Sequence, residues 1–287
     1  MKELKKYIPL DKSWVMRMGI LDLLNIYPDI NVFLSKQRFL SEDLTALKGV
    51  CRDWNSKKKI DVGESGTLYR FLQFVSWRFD LNKEFIVHGT LQSRNICNNP
   101  EIVQYSLDKL LKLDQGTSQW ASAAVLCGDK EKMKTPPYKL RLTYEAVNHW
   151  QNQRAKGKTW KARYDITIEN QARAFLEILN GENAIFNPEQ AEDYCFARVF
   201  GFITKEEGEE RWPSLRGHES DRIEEMETAL DEYQNGKVIT SKDHRVVQAV
   251  AMKAKVDRKN ISFQYPNSVS KSWPQFWDFL ENIEKIR

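Results

Sequence analysis

Apolar residues recur along the chain at helical spacing, but only in short pieces. Residues 14–26 (WVMRMGILDLLNI) read as a mostly buried helix. Ser41 is placed to cap a helix through Trp54, with Leu44, Leu47, Val50 and Cys51 on one face. Residues 67–78 repeat the pattern, and Asn99-Pro100 opens a helix expected to run to about Leu113. Further helices are expected to start near Thr117, Glu169, Glu189, Glu219, Asp243 and Ser272. Strand-like pieces separate them at Glu84–His88, Lys139–Thr143, Tyr164–Ile168, Lys237–Thr240 and Ile261–Tyr265. Helices alternating with short strands predict an α/β protein. The polar stretch Gln151 to Ala162 is the predicted linker. Asp11-Lys12-Ser13-Trp14 is echoed by Ser270-Lys271-Ser272-Trp273, which would suit two related halves.

A chain of 287 residues, 41% of them hydrophobic, can bury one large core or two ordinary ones. No apolar run approaches the length of a membrane helix. The first residues, MKELKKYIPLDKSW, are basic without an apolar core, so no secretory signal is expected. Cys51, Cys97, Cys127 and Cys195 form no C-x-x-C pair and suit neither a disulfide framework nor zinc. A cytoplasmic setting is expected. Net charge is +4, too weakly basic to suggest nucleic acid. The densest basic stretch, Arg154, Lys156, Lys158, Lys161 and Arg163, reads as a solvated linker or hinge.

Six motifs share one design: a small or polar residue, a Lys or Arg, then a helix. They are Lys12-Ser13 with Arg17, Gly63 to Thr67 with Arg70, Thr117-Ser118-Gln119, Glu219 to Arg222, Asp243-His244-Arg245 and Lys271-Ser272. A helix start offers unpaired N–H groups and a positive dipole end. A cation beside it makes a site for phosphate or carboxylate. Any one of these motifs equally describes a capped helix, and Asp193 and Glu219 alone also read as caps. Six together point to a strongly anionic ligand set.

In this order the motifs resemble the enolpyruvyl transferases. His218-Glu219-Ser220-Asp221-Arg222, Asp243-His244-Arg245 and Lys271-Ser272-Trp273-Pro274 look like the family's K-E-(S/T)-D-R, D-H-R and K-(S/T)-(F/W)-P series. Upstream, Lys12-Ser13 with Arg17 resembles K-S-x-x-x-R, and Gly63 to Arg70 resembles G-N-(A/S)-G-T-x-x-R. Arg94-Asn95-Ile96 stands for R-P-(M/I), Thr117-Ser118-Gln119 for S-S-Q, and Thr135-Pro136-Pro137-Tyr138 for S-x-P-Y. The likeness spans nearly the whole chain.

The resemblance implies an α/β fold of two domains, inside-out barrel halves with shortened repeats, around a cleft that closes on ligand. The expected domains are residues 12–163, and residues 1–11 with 164–287. The implied reaction moves the enolpyruvyl group of phosphoenolpyruvate to the 5-hydroxyl of shikimate 3-phosphate and releases phosphate. It needs no metal or organic cofactor, and a monomer without nucleic acid or membrane is expected. Lys12, Gly66, Arg94, Arg222, Arg245 and Lys271 would hold phosphoenolpyruvate. Ser13, Arg17, Thr117, Ser118, Gln119 and Tyr138 would hold shikimate 3-phosphate, with Thr67, Arg70, Thr135 and His244 lining the sites. Asp193, Glu219, His218 and Lys12 form the implied catalytic set, Asp193 on the hydroxyl side and Glu219 on the methylene side. Two alternatives stand beside this: a relative that binds phosphorylated metabolites without turnover, and a transferase for another acceptor, disfavoured because Cys97 follows Arg94 rather than preceding it.

Some residues depart from the pattern. Glu64 replaces an asparagine, Phe71 and Asn95 replace prolines, and the chain is markedly shorter than typical members. His218 stands where the family has lysine. An imidazole loses its charge near neutral pH, whereas an ammonium keeps it. Turnover is therefore expected to fall in weakly alkaline buffer and to be restored there by His218→Lys; a pH–rate profile checks this, and a flat profile contradicts it.

Overall fold

A computed structural model describes residues 3–113, 117–128, 135–216 and 221–286. The chain divides into two compact units, Leu10–Arg163 and Met1–Pro9 with Tyr164–Arg287. Both are chiefly helical, and each has its own apolar core. Among the described residues, no helix is long and apolar enough to cross a membrane.

The Leu10–Arg163 unit is built around α1 (Lys12–Leu24). Asp11 starts it by accepting the Trp14 N–H at 2.9 Å. Apolar residues encircle α1, so it lies inside the unit, with Trp14, Val15, Met16, Met18, Ile20 and Leu21 all buried. It packs against α2 (Asp29–Ser35), α3 (Glu42–Asp53) and α7 (Arg141–Ala155). Gly19 permits this approach: a Cβ there would lie 2.9 Å from Leu47 Cδ2 and 3.3 Å from Ile30 Cγ1. Strands β1 (Lys59–Asp61) and β2 (Glu84–Ile86) pair in parallel, joined by α4 (Gly66–Arg78). Ser65 caps α4 through the Leu68 N–H. Trp77 of α4 stacks on Trp120 of α6 (Gln119–Leu126), ring centroids 5.9 Å apart. Asn99 caps only a short 3-10 turn, Pro100–Gln104; Ser106 then caps α5 (Leu107–Leu113) through the Lys109 N–H. The expected single helix is thus split by a second capping residue.

The second unit is built around α12 (His244–Val256), buried along most of its length. It packs against α8 (Ile166–Leu179), α9 (Tyr194–Val199), α11 (Arg222–Gln234), α13 (Phe276–Glu281) and a 3-10 segment, Pro266–Lys271. Helices α10 (Lys205–Arg211) and α14 (Ile283–Ile286) complete it. Trp273, Phe276 and Phe279 are fully buried beneath α12; each such side chain is worth about 1.5–3 kcal/mol or more of transfer free energy.

The sequence echo has a structural counterpart in each unit. Trp14 Nε1–H donates to the Lys161 carbonyl at 2.9 Å. Trp273 Nε1–H donates to the Tyr7 carbonyl at 2.6 Å. Each indole thus anchors the segment at the point where the chain leaves its unit. Backbone bonds support them: Asp11 N–H to the Arg163 carbonyl in one unit, Asp165 N–H to the Pro9 carbonyl in the other, both at 2.9 Å.

Several sequence expectations need correction. Sheet content is far lower than barrel halves require: among the described residues there is one two-stranded sheet, with isolated bridges such as the parallel pair Ile239 to Phe263. Lys139–Thr143 is not a strand but a 3-10 turn running into α7, where Leu140, Thr143, Tyr144, Val147 and Trp150 are buried at helical spacing. Tyr164–Ile168 is cut short because Asp165 caps α8 through the Ile168 N–H. The predicted linker at 151–162 is part of the packed unit. Its first residues belong to α7, and Trp160 is buried in the core.

The cause of that last error is Asp22, fully buried on α1. Its carboxylate accepts from Trp150 Nε1–H (2.7 Å), Arg154 Nη2–H (2.7 Å), Trp160 Nε1–H (2.9 Å) and the Ile30 N–H (3.0 Å). Arg154 also pairs with Asp29 at 2.5 Å and lies over the Tyr27 ring. Removing the acid strands two indole donors and leaves Arg154 with Asp29 alone. Asp22→Ala is expected to lower the unfolding free energy by about 3 kcal/mol or more, read by urea denaturation; a loss under about 1 kcal/mol, the size of an exposed pair, contradicts this.

Candidate functional site

In the Leu10–Arg163 unit the motif residues form one connected set. Gly66 opens α4, and the position its Cβ would take is 3.1 Å from both Arg70 Nη1 and Arg94 Nη1. The missing side chain lets two guanidinium groups come close to the helix start. Arg70 Nη1 donates to Gln119 Oε1 at 2.7 Å and to the Gly66 carbonyl at 3.3 Å. Gln119 Nε2 donates to Thr67 Oγ1 at 2.8 Å. Arg94 Nη2 donates to Thr90 Oγ1 at 2.9 Å. Helix α6 carries the set onward, since Ser122 lies one turn beyond Gln119 on the same face. Ser122 Oγ accepts from Thr143 Oγ1–H at 2.9 Å, and both hydroxyls face Arg17.

Arg17 is the unusual member. It is buried, and its guanidinium donates to Thr143 Oγ1 (2.8 Å), the Ser13 carbonyl (2.8 Å) and, more loosely, Ser122 Oγ (3.5 Å). Among the described residues it has no ion-pair partner. Burial pushes it down to about 10, and the more distant Asp11 carboxylate opposes the change. The guanidinium also lies over the Phe71 ring, 5.5 Å from its centroid; a buried cation met by neutral oxygens and a ring face, with no carboxylate among the described residues, would be completed by an incoming phosphate or carboxylate. Thr117 adds a buried hydroxyl without a hydrogen-bond partner before α6, and Ser118 Oγ–H donates to the Lys139 carbonyl at 2.9 Å.

Other expected binding residues stand apart from this set. Lys12 Nζ lies 3.0 Å from Asp43 Oδ2. Tyr138 is 84% exposed and Thr135 is exposed as well.

The second unit gathers Asp193, Arg222, Asp243, His244, Arg245 and Lys271 around α12. Two buried carboxylates contrast there. Arg222 Nε–H donates to Asp243 Oδ2 at 2.9 Å, and Asp243 Oδ1 caps α12 through the Arg245 N–H at 2.8 Å. Burial would raise Asp243, but the charges of Arg222 and His244 together with its hydrogen bonds outweigh it and hold the carboxyl well below the usual range. Arg222 is thereby committed to a structural pair. Asp193, also buried, accepts from Gln171 Nε2–H (2.8 Å) and from the Glu189 and Gln190 N–H groups (3.1 and 3.2 Å). For it burial wins, raising its pKa above the ordinary 3.8 despite those bonds and the Arg245 charge. Arg245 is buried, and its Nε and Nη1 find no hydrogen-bond partner. Gln248, one turn further along α12, donates to Ser272 Oγ at 3.0 Å and so fixes the turn carrying Lys271. His218 and Glu219 lie outside the described residues.

Sequence reasoning missed Ser122, Thr143 and Gln171. The first was accessible from the spacing, being three residues beyond Gln119 on a helix. Thr143 and Gln171 come from distant segments and carried no signal of their own.

If Arg17 awaits an anion, its charge is a burden on the empty protein. Arg17→Met is therefore expected to leave the thermal midpoint unchanged or raise it, while abolishing the stabilisation that added phosphate or a phosphorylated ligand confers on the wild type. A large fall in the midpoint, with ligand stabilisation intact, contradicts this. No protein-family model matches the chain, and neither curated proteins nor solved structures yield a match.

Proposed function

We propose that the chain is an enzyme resembling 3-phosphoshikimate 1-carboxyvinyltransferase, transferring the enolpyruvyl group of phosphoenolpyruvate to shikimate 3-phosphate on the route to chorismate and the aromatic amino acids. The observation that carries the reading is the buried, acid-free guanidinium of Arg17 among hydroxyl groups. The close approach of Arg70 and Arg94 at Gly66 supports it, as does Arg245 with two unpartnered nitrogens. In this reading the two helical units are much-shortened counterparts of the family's two barrel halves, working in the cytoplasm.

Arg17, with Ser13, Ser122 and Thr143 around it, takes the phosphate of the acceptor. Gly66 and Arg94 serve phosphoenolpyruvate, where Arg offers planar bidentate pairing to phosphate and carboxylate. The acceptor's 5-hydroxyl oxygen attacks C2 of phosphoenolpyruvate and its proton passes to Asp193. C3 gains a proton from Glu219. The tetrahedral intermediate then expels phosphate, which leaves with the proton held by Asp193, and a methyl proton returns to the Glu219 carboxylate, restoring the double bond. A carboxyl whose pKa is raised by burial is a stronger base than an ordinary one, which suits Asp193 to the first step.

The test is phosphate release from the full-length protein. Release should require both substrates together and vanish in Asp193→Asn, with ligand affinity retained. Because Asp193 must be ionised and its pKa is raised, the acid limb of the pH–rate profile should lie above the ordinary carboxylate range. Binding of both substrates without phosphate release would overturn the reading in favour of a metabolite-binding protein; no binding would overturn both.

A further inference from the structure

The Tyr164–Arg287 portion of its unit holds a cavity of about 620 Å³ that the enzymatic reading does not use. That size is in the range of small-molecule pockets. It opens at the C-terminal end of α12, whereas His244 and Arg245 occupy the opposite end. One wall is apolar and fixed. Trp277 and Phe263 meet with ring centroids 5.7 Å apart, and Leu280 is buried beside them. The Trp277 indole is tethered by donating to the Pro266 carbonyl at 3.0 Å. Phe263 is held by its bridge to Ile239. The opposite rim carries Lys255 and Arg258, both exposed and without an ion-pair partner among the described residues. Glu284 also lines the cavity.

These cations are not needed to close the helix. The last carbonyls of α12 already accept backbone N–H groups: Asp257 to Lys253 (2.9 Å), Lys259 to Ala254 (2.9 Å) and Arg258 to Lys255 (3.4 Å). Neighbouring basic groups are otherwise engaged. Lys253 pairs with Asp257 at 2.8 Å, and Lys259 Nζ donates to the Tyr233 carbonyl. Arg258 sits at φ +53°, a left-handed position that the chain fills with Gly181 after α8, Gly201 after α9 and Gly236 after α11, but also with Ile26 after α1 and Asp80 after α4.

We infer that this cavity is a binding site for an amphipathic small anion, with an aromatic or branched apolar body against Trp277 and Phe263 and a carboxylate, sulfonate or phosphate head at Lys255 and Arg258. The inference does not depend on the transferase activity.

The probe is 1-anilinonaphthalene-8-sulfonate, titrated against the folded full-length protein and followed by fluorescence. Saturable binding at one principal site is expected. The double variant Lys255→Glu/Arg258→Glu changes only exposed side chains and should weaken binding by about 10-fold or more. Trp277→Leu, which keeps an apolar filling, should weaken it too. The uncharged N-phenyl-1-naphthylamine should ignore the charge reversal. Lys156→Glu/Lys158→Glu makes the same change in net charge in the other unit and should leave affinity as it was. Leu81→Asp, at the apolar cavity of about 290 Å³ beside α1 and α4, should likewise have no effect. Unchanged affinity in the Lys255/Arg258 variant, equal weakening by the Lys156/Lys158 variant, or loss with Leu81→Asp would each overturn the inference.

Discussion

A carboxylate with no access to water must gather its own solvation shell, and Asp22 gathers one from across its unit. Its four donors come from α2, α7 and the segment after α7. Charge burial in a low-dielectric interior is tolerable only when every lone pair is met. This requirement pins α7 and Trp160 against α1 and closes the unit. The same helix carries Arg17 five residues earlier, so the placement of α1 that satisfies Asp22 also fixes where Arg17 points.

The two ends of α1 then differ in kind. Asp22 is saturated, with two indoles, a guanidinium and a backbone N–H. Arg17 is buried but meets hydroxyl and carbonyl oxygens and the Phe71 ring rather than a carboxylate. The second unit repeats the contrast: Asp243 and Arg222 neutralise each other, whereas Asp193 is held in a costly ionisation state and Arg245 has unmatched nitrogens. Saturated charges hold a fold together. Incompletely matched ones cost stability and persist where a ligand completes them.

How much was legible in the chain can be traced residue by residue. Helix starts at Asp11, Ser41, Ser65, Asp165 and Asp243 are written in short range, because a cap and the N–H it accepts are two or three residues apart. The strands were poorly legible. Lys139–Thr143 alternates like a strand, yet its hydroxyl at Thr143 and its apolar neighbours find better burial as a helix facing α1. The basic stretch after Arg154 looked like a solvated hinge because the acid that recruits Arg154 lies 132 residues earlier. Gln171, which steadies Asp193, is separated from it by 22 residues and looks like any polar helix residue.

By itself the sequence determined some helix starts, such as those capped by Ser41 and Asp243, and the chemical character of the candidate site: guanidinium, ammonium and hydroxyl groups at helix starts. Tertiary structure alone decided which of those cations are already neutralised. Lys12 meets Asp43 and Arg222 meets Asp243, while Arg17 has no acid partner among the described residues. The physical reason is range. Capping and helical periodicity act between near neighbours in the chain, but the partner of a buried charge is whichever group the fold brings within hydrogen-bond reach.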